Sequence, residues 1–156
     1  MIHIEIPDGP TMHIEHLLLD FNGTIACDGR LVEGVAAAIV DFDTVVEIHV
    51  VTGNTFNTAE HELNDLPCKV VILPPEGQAF KKHEYLQSLG AERTAVFGNG
   101  QNDRLILKEA AVGVAVLGPE GAAVSAIQAA DVVVREIGDA FALLKDPYRL
   151  KALLRG

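Results

Sequence analysis

Short apolar runs recur along the chain and alternate with segments of helical pattern. The first run is Leu17-Leu18-Leu19, and later runs span residues 45–51, 70–73, 94–97, 112–116 and 132–134. Runs without a polar face are typical of strands covered on both sides in a parallel sheet. Between them, helices are predicted over residues 33–42, 57–63, 79–89, 103–110 and 121–129. The pattern predicts a three-layer, doubly wound, mostly parallel α/β sheet.

Both ends of the chain carry patterns of their own. Residues 2–6 alternate apolar and polar, a turn follows at residues 7–10, and residues 12–15 return, which predicts an N-terminal β-hairpin. The tail predicts two helices, 140–144 and 147–154, divided at Asp146-Pro147. Their apolar residues either pack on the sheet, the favoured interpretation, or form a dimer face, so a homo-oligomer stays open. The length of 156 residues suits one domain, 1–156.

Composition narrows the range of partners. The chain has 22 acidic and 12 basic side chains, a formal net charge of −10, which opposes binding to nucleic acid and to anionic membranes. The longest apolar stretch, residues 110–117, is too short for a membrane span, and the first ten residues lack a signal-peptide pattern. Two cysteines are too few for a disulfide scaffold. We expect a soluble, cytoplasmic protein. The six histidines show no tight metal-ligand spacing.

Polar residues follow the apolar runs, where ligands of doubly wound sheets bind. Asp20 ends the first run, and a tight turn with Asn22 and Gly23 follows. A carboxylate held there can act as a nucleophile toward phosphorus. The alternative is a simple Asx turn that ends a strand.

Three further segments fit the same chemistry. Thr52-Gly53-Asn54 offers a hydroxyl and amides for phosphate, or else only a helix cap. Lys81 and Lys82 stand near the start of a predicted helix. One of them can neutralise the charge of a phosphate and of the nucleophilic carboxylate; the alternative is that both are solvated. Asn99 and Asp103 offer oxygen ligands suited to Mg²⁺, or else belong to a glycine-rich turn. Each signal is weak alone, but their ordered occurrence at strand ends is specific.

These residues resemble the four ordered motifs of the haloacid dehalogenase (HAD) superfamily. Residues 20–24, DFNGT, resemble the D-x-D-x-T of its phosphatases and the D-K-T-G-T of P-type ATPases, and T-G-N at 52–54 resembles the ATPases' T-G-D. The segment 98–134 resembles GDGxNDAPAL and its continuation to the ADVV strand. The closest resemblance is to the phosphorylation domain of P-type ATPases and its small soluble relatives. It covers about residues 17–134.

The resemblance implies a role for each matching residue. Asp20 matches the nucleophile that becomes aspartyl phosphate, and Lys82 matches the third-motif lysine, with Lys81 as the alternative. The implied catalytic residues are Asp20, Asn22, Thr52 and Lys82. The implied phosphate-binding residues are Thr52, Gly53, Asn54 and Lys82. The implied Mg²⁺ ligands are Asp20, Asn22 through its backbone carbonyl, Asn99 and Asp103.

Three amides replace expected carboxylates. Asn22 stands at the general acid/base position, Asn54 at the T-G-D aspartate and Asn99 at a metal-ligating aspartate. An amide cannot shuttle a proton, and loss of a positioned acid/base typically costs about 10²- to 10⁴-fold in rate. The sequence therefore predicts a slow hydrolase or a persistent phospho-aspartate.

Two principal hypotheses follow. The first is a Mg²⁺-dependent phosphohydrolase or phosphotransferase that acts on a small phosphorylated substrate or a phosphorylated macromolecule. The second is a regulatory, weakly catalytic or non-catalytic phosphate-binding domain. A nucleotide-handling domain ranks last, because the chain is too short for the inserted nucleotide domain of the pumps. The gaps between motifs allow only a short flap at residues 26–31, so the site is predicted to be capless.

Overall fold

The computed structural model describes all residues, Met1–Gly156. The strands are β1 (Ile2–Glu5), β2 (Thr11–Ile14), β3 (His16–Asp20), β4 (Ala26–Cys27), β5 (Arg30–Leu31), β6 (Glu47–Thr52), β7 (Lys69–Ile72), β8 (Thr94–Gly98), β9 (Val112–Val116) and β10 (Val132–Val134). The helices are α1 (Val35–Asp43), α2 (Ala59–Leu63), α3 (Gln78–Leu89), α4 (Arg104–Glu109), α5 (Val124–Ala129), α6 (Ile137–Lys145) and α7 (Pro147–Leu154). Two 3₁₀ turns span Ala91–Arg93 and Gln101–Asp103.

Six of the strands form one parallel sheet in the order β10-β9-β8-β3-β6-β7. The chain runs from β3 outward to β6 and β7, and then returns to β8 on the other side of β3. This reversal makes a crevice at the carboxyl ends of β3 and β8, the position where such sheets bind ligands. The doubly wound parallel sheet predicted from the apolar runs is confirmed.

Helices cover both faces of this sheet. Leu17 and Leu19 of β3 point into the larger apolar cluster, which includes residues of the hairpin, α1, α6 and α7. Leu18 points into the smaller cluster with residues of α3, α4 and α5. All three leucines are fully buried. A strand with core on both faces needs no polar side, which explains its apolar sequence.

The N-terminal hairpin is also confirmed. β1 and β2 pair antiparallel, with Ile2 opposite Ile14 and Ile4 opposite Met12. These four side chains belong to the larger cluster, and the polar residues between them face outward. Apolar residues of α6 and α7 pack in the same cluster, as the favoured interpretation of the tail predicted.

Six of the seven helix starts differ from the prediction by one to three residues, and at two of them a glycine explains the difference. The helix predicted from residue 33 begins at Val35, and the helix predicted from residue 121 begins at Val124. Gly34 and Gly121 have φ angles of 86° and 75°. This left-handed backbone is incompatible with a right-handed helix, so each helix begins only after its glycine.

The crossover connections carry no inserted domain. Between β3 and α1 there is only the two-stranded flap of β4 and β5, which pair through Ala26–Leu31 and Cys27–Arg30. Between β6 and β7 there is only α2. The carboxyl ends of the central strands therefore lack a cap domain. None of the helices combines the length and the apolarity that crossing a membrane requires.

Candidate active site

Four segments distant in sequence meet at the carboxyl ends of the central strands. Asp20 ends β3 and Thr52 ends β6, next to it in the sheet. Asp103 closes the 3₁₀ turn that follows β8. Lys82 reaches the same place from α3. The residues predicted from all four motifs thus lie at one edge of the sheet.

Lys82 joins two of these segments directly. Its Nζ donates to Asp20 Oδ1 at 2.5 Å and to Asp103 Oδ1 at 2.6 Å. Burial alone would lower the pKa of this fully buried lysine, but Asp103 and Asp20 outweigh burial and raise the pKa above its usual value. Lys82 therefore stays charged. The neighbouring Lys81 is exposed, so of the two lysines only Lys82 contacts the carboxylates.

Asp20 lies in a polar but nearly closed environment. It is 7% exposed, and its Oδ2 lies 3.1 Å from the Thr24 hydroxyl. Burial and the nearby Asp103 raise its pKa to about 6, although Lys82 and Thr24 act in the opposite direction. Two carboxylates share one ammonium group here, so the positive charge available is too small for both anions. The site is short of one cation.

Asp103 is held by the loop that it follows. Its Oδ2 accepts the backbone N–H groups of Asn99 at 3.1 Å and Gly100 at 2.9 Å. A Cβ atom on Gly98 would lie 2.8 Å from Asp103 Cβ, Cγ and Oδ2. The loop therefore needs glycine at position 98 because of space and not because of its backbone angles. The carboxylate is fixed by two amides and a close backbone approach.

Thr24 is a site residue that the sequence assignment missed. Its hydroxyl lies 3.1 Å from Asp20 Oδ2 and 3.2 Å from Asn99 Oδ1, so the first and fourth motifs meet at this side chain. Asn99 also donates through Nδ2 to the carbonyl of Gly121 at 3.0 Å. The signal was present in the sequence, because Thr24 is the fifth residue of the D-x-N-G-T motif.

The second motif is shaped by its own loop. Thr52 Oγ1 accepts the N–H of Asn54 at 2.9 Å, which leaves the hydroxyl proton free to donate elsewhere. Asn54 has a φ of 51°, and its Oδ1 accepts the N–H of Ala59 at the start of α2 at 3.1 Å. Both the backbone amide and the side-chain oxygen of Asn54 are therefore engaged in local structure.

Gln78 is a second site residue that no sequence motif indicated. A Cβ atom on Gly53 would lie 2.2 Å from its Nε2, so the Gln78 amide packs against the bare backbone of the second motif. Its Oε1 accepts from Asn102 Nδ2 at 2.9 Å. Gln78 therefore bridges the second and fourth motifs.

The oxygen-rich donor set fits Mg²⁺. Asp20, Asp103 and Asn99 offer hard oxygen atoms of the kind that this ion prefers. Asn22 Oδ1 is a buried oxygen atom without a hydrogen-bond partner, which is rare in folded proteins. Two carboxylates beside one ammonium group leave the site with a net negative charge. A divalent cation near these groups would supply both the charge and a partner for oxygen lone pairs.

Sequence comparison finds a relative among curated proteins. No protein-family model matches the chain. Over 64 residues the chain is 45% identical to the uncharacterized protein MJ0073 of Methanocaldococcus jannaschii, and the match covers 41% of this chain and 69% of that protein.

Structural comparison finds similar folds at low identity. A 3-deoxy-D-manno-octulosonate 8-phosphate phosphatase from Moraxella catarrhalis, in complex with magnesium, phosphate and KDO, matches with a TM-score of 0.67 and 15% identity over 86% of this chain and 87% of that chain. The cobalt-bound phosphatase from Haemophilus influenzae matches with a TM-score of 0.72 and 16% identity, over 92% of this chain and 94% of that chain. A HAD superfamily hydrolase of subfamily III A from Legionella pneumophila matches with a TM-score of 0.67 and 15% identity, over 90% of this chain and 87% of that chain.

Proposed function

We propose that this chain, which belongs to the same family as the M. jannaschii protein, is a Mg²⁺-dependent phosphohydrolase. The HAD fold that it shares with phosphatases supports this proposal. Its substrate is a phosphomonoester, and the reaction passes through an aspartyl phosphate on Asp20. The observation that carries this proposal is the buried Lys82 ammonium between Asp20 and Asp103. Burying three charged groups costs stability. Their presence at the switch point of a doubly wound sheet therefore indicates a functional site.

The proposed chemistry begins with Asp20. One of its carboxylate oxygens attacks phosphorus, the bond from phosphorus to the ester oxygen breaks, and the leaving oxygen takes a proton from solvent. Lys82 and the Thr52 hydroxyl stabilise the negative charge of the transferring phosphoryl group. Water then attacks the phosphorus of the aspartyl phosphate, which releases inorganic phosphate and restores the Asp20 carboxylate.

The residues that would hold Mg²⁺ are Asp20, Asp103, Asn99 and the backbone carbonyl of Asn22. When bound, the ion supplies positive charge to the phosphoryl oxygens. Two carboxylates facing one lysine give the site the charge to attract it. Of the four positions, Asp103 is the most firmly fixed, through its bonds to Asn99 and Gly100. The Asn99 amide brings no charge of its own.

The residue at position 22, Asn22, determines the turnover rate that we expect. Its Oδ1 is buried without a hydrogen-bond partner, and an amide can neither protonate a leaving group nor deprotonate water. Both half-reactions then depend on solvent for their protons. We therefore expect slow turnover and an aspartyl phosphate that accumulates. No cap domain covers the site.

The test is release of inorganic phosphate from a panel of phosphorylated metabolites, with and without Mg²⁺. Asp20→Asn should abolish the release, while Asp43→Asn, on the exposed end of α1, should leave it unchanged. Mass spectrometry of acid-quenched protein should show a phosphate adduct on the wild type that Asp20→Asn lacks. Mg²⁺-dependent release that persists in Asp20→Asn would refute the proposal.

The second candidate function is phosphate binding without turnover. It is favoured by the engagement of Asn54 with α2 and of Asn99 with Thr24 and Gly121, which gives these amides structural partners. In this case phosphate would bind with a measurable affinity, no substrate would be turned over and no adduct would form. We rank this function below hydrolysis, because binding alone does not require a buried Asp20 beside Lys82.

Three related expectations stay predictions. We propose that residues 1–156 form a single domain, because both apolar clusters pack on the same six-stranded sheet. Limited proteolysis should leave this unit intact. The cytoplasmic location and the resemblance to soluble relatives of P-type ATPases are likewise predictions from the sequence.

A further inference from the structure

Three side chains converge at the amino end of the central sheet, away from the proposed active site. His16 Nδ1 lies 3.2 Å from His49 Nε2 and 3.2 Å from Glu47 Oε2. His49 Nε2 lies 3.4 Å from the same Glu47 oxygen. The three atoms therefore form a nearly equilateral triangle of potential metal ligands. We refer to these residues as the His16–Glu47–His49 cluster.

The register of the sheet creates this cluster. His16 begins β3 and is paired with Glu47, which begins β6. His49 lies two residues after Glu47, so both side chains point to the same face of the sheet. That face is the one covered by α3, because Leu18, the partner of His49 in β3, belongs to the cluster on that side.

The size of the triangle matches a tetrahedral metal site. With bonds of about 2.0–2.1 Å from zinc to nitrogen or oxygen, neighbouring ligand atoms of a tetrahedron lie about 3.3 Å apart. The observed edges are 3.2, 3.2 and 3.4 Å. An octahedral site with the same bond lengths would need edges of about 3.0 Å. The observed edges are therefore close to those of a four-coordinate site.

Neighbouring groups direct the lone pairs inward. Tyr85 Oη lies 2.8 Å from His49 Nδ1, and when Nδ1–H donates to it, Nε2 keeps its lone pair toward the cluster. Such a second hydrogen bond at the other ring nitrogen is the usual support of a metal-binding histidine. Lys69 forms an ion pair with Glu47 Oε1 and leaves Oε2 for the cluster.

The three atoms can all face a cation as electron-pair donors. In this tautomer His49 Nε2 and Glu47 Oε2 are both acceptors, and the single Nδ1–H of His16 can serve only one of them fully. A cation inside the triangle would bind all three lone pairs at once.

We propose that His16, Glu47 and His49 form a second metal site, for Zn²⁺, distinct from the oxygen-rich Mg²⁺ site. Two imidazoles and one carboxylate are donors that zinc prefers, whereas magnesium prefers oxygen alone. The side chains of His16 and Glu47 are 15% and 43% exposed, which leaves the fourth position open to water. Along β3 the two sites are separated by about 13 Å. The ion would connect β3 and β6, with α3 behind them through Tyr85.

The test uses the full-length chain without a histidine tag, stripped with EDTA and held in excess Mg²⁺. Titration with Zn²⁺ in a calorimeter should show one ion per chain. His16→Gln and Glu47→Gln should each weaken binding at least 10-fold. Both positions are partly exposed, so these variants are expected to fold, and circular dichroism checks this. Unchanged zinc affinity in both folded variants would overturn the proposal.

Two control variants locate the ion. His83 also lies 2.8 Å from a carboxylate, Glu109, but outside the cluster, and His83→Gln should bind zinc as the wild type does. Asp103→Asn, in the active site, should do the same. Loss of zinc binding in Asp103→Asn, with retention in His16→Gln, would place the ion in the active site instead and reject the proposal.

Cobalt provides an independent readout of geometry. Co²⁺ in a tetrahedral site absorbs visible light strongly, whereas octahedral Co²⁺ in an oxygen site absorbs weakly. We expect the strong absorption in the wild type and in Asp103→Asn, and its loss in Glu47→Gln. A weak octahedral spectrum in the wild type at saturation would contradict the proposed site.

Discussion

Three asparagines stand where the HAD motifs that they resemble carry carboxylates, and the structure gives each a different environment. Asn54 Oδ1 receives an N–H from α2, and the Asn99 amide lies between Thr24 and Gly121. Asn22 Oδ1, in contrast, is buried without a partner. A change at Asn54 or Asn99 therefore disturbs local structure. A change at Asn22 acts on the proposed chemistry itself.

Replacing Asn22 with aspartate is expected to raise phosphate release by about 10²- to 10⁴-fold, because the new carboxyl group can transfer protons. The readout is steady-state turnover of the best substrate in Mg²⁺, together with a smaller fraction of phosphorylated protein. Asn54→Asp is the matched control and should bring no gain, because its side-chain oxygen serves α2. Unchanged turnover in Asn22→Asp, despite intact Mg²⁺ binding, would contradict an acid/base position at residue 22.

Lys82 is expected to be essential for stability as well as chemistry. Lys82→Met leaves Asp20 and Asp103 buried beside each other without their shared cation. Removal of one partner from a buried ion pair typically costs about 3–5 kcal/mol. Urea denaturation in EDTA should show this loss. Lys81→Met, exposed on the same helix, should change stability by less than about 0.5 kcal/mol.

At the scale of elements, the loop after β8 holds the fourth motif in place. Its 3₁₀ turn brings Asp103 back against the end of the strand, where two loop amides bind the carboxylate. The approach is so close that Gly98 has no room for a side chain. The position of one strand end therefore controls a proposed metal ligand.

Gly98→Ala is expected to displace Asp103, because the new methyl group would lie 2.8 Å from its carboxylate. Overpacking of this kind costs about 1–3 kcal/mol, and Mg²⁺ affinity should fall with it. Thermal unfolding and Mg²⁺ titration measure the two effects. Gly138→Ala in α6 is the control, since no atom lies within 4 Å of its Cβ. It should stabilise the chain by about 0.4–1 kcal/mol. Equal behaviour of the two variants would disprove the steric argument.

At the scale of the whole molecule, charge opposes the proposed substrate. The chain carries a net charge of −10, and the one buried lysine of the site is already shared by two carboxylates. A phosphate dianion would meet repulsion both at long range and in the site. A divalent cation would reduce this repulsion. It would also reduce the repulsion between Asp20 and Asp103, so metal binding should raise the stability of the fold.

The raised pKa of Asp20 makes this linkage measurable. Its pKa is about 6 in the fold and about 3.9 in an unfolded chain, so the fold loses stability as pH rises through 6 and the buried group ionises. In EDTA at pH 7.5, Asp20→Asn should therefore be more stable than the wild type by roughly 1–3 kcal/mol. The difference should disappear below about pH 4, where Asp20 is protonated in both states.

Denaturation series at several pH values, with and without Mg²⁺, check this expectation. Mg²⁺ should raise the midpoint of the wild type at pH 7.5 and have a smaller effect on Asp20→Asn. Asp43→Asn should follow the wild type throughout. A wild type that is more stable than Asp20→Asn at pH 7.5 in EDTA would show that the Lys82 ion pair outweighs the burial of Asp20.

The sequence by itself determined the doubly wound sheet, the hairpin and the four polar segments at strand ends. These features depend on local patterns: apolar runs, turn residues and motif order. The amide substitutions at Asn22, Asn54 and Asn99 were also visible without a structure. Helix starts were less exact, because the backbone angles of Gly34 and Gly121 are set by their surroundings.

Only the tertiary structure decided which side chains meet. Lys82 and not Lys81 contacts Asp20 because one side of α3 faces the sheet, which the sequence of two adjacent lysines could not show. The histidines show no metal-ligand spacing in the sequence, yet His16 and His49, 33 residues apart, meet because β3 and β6 pair in one register. Strand register is a long-range property of packing, and it has no signature within either strand alone.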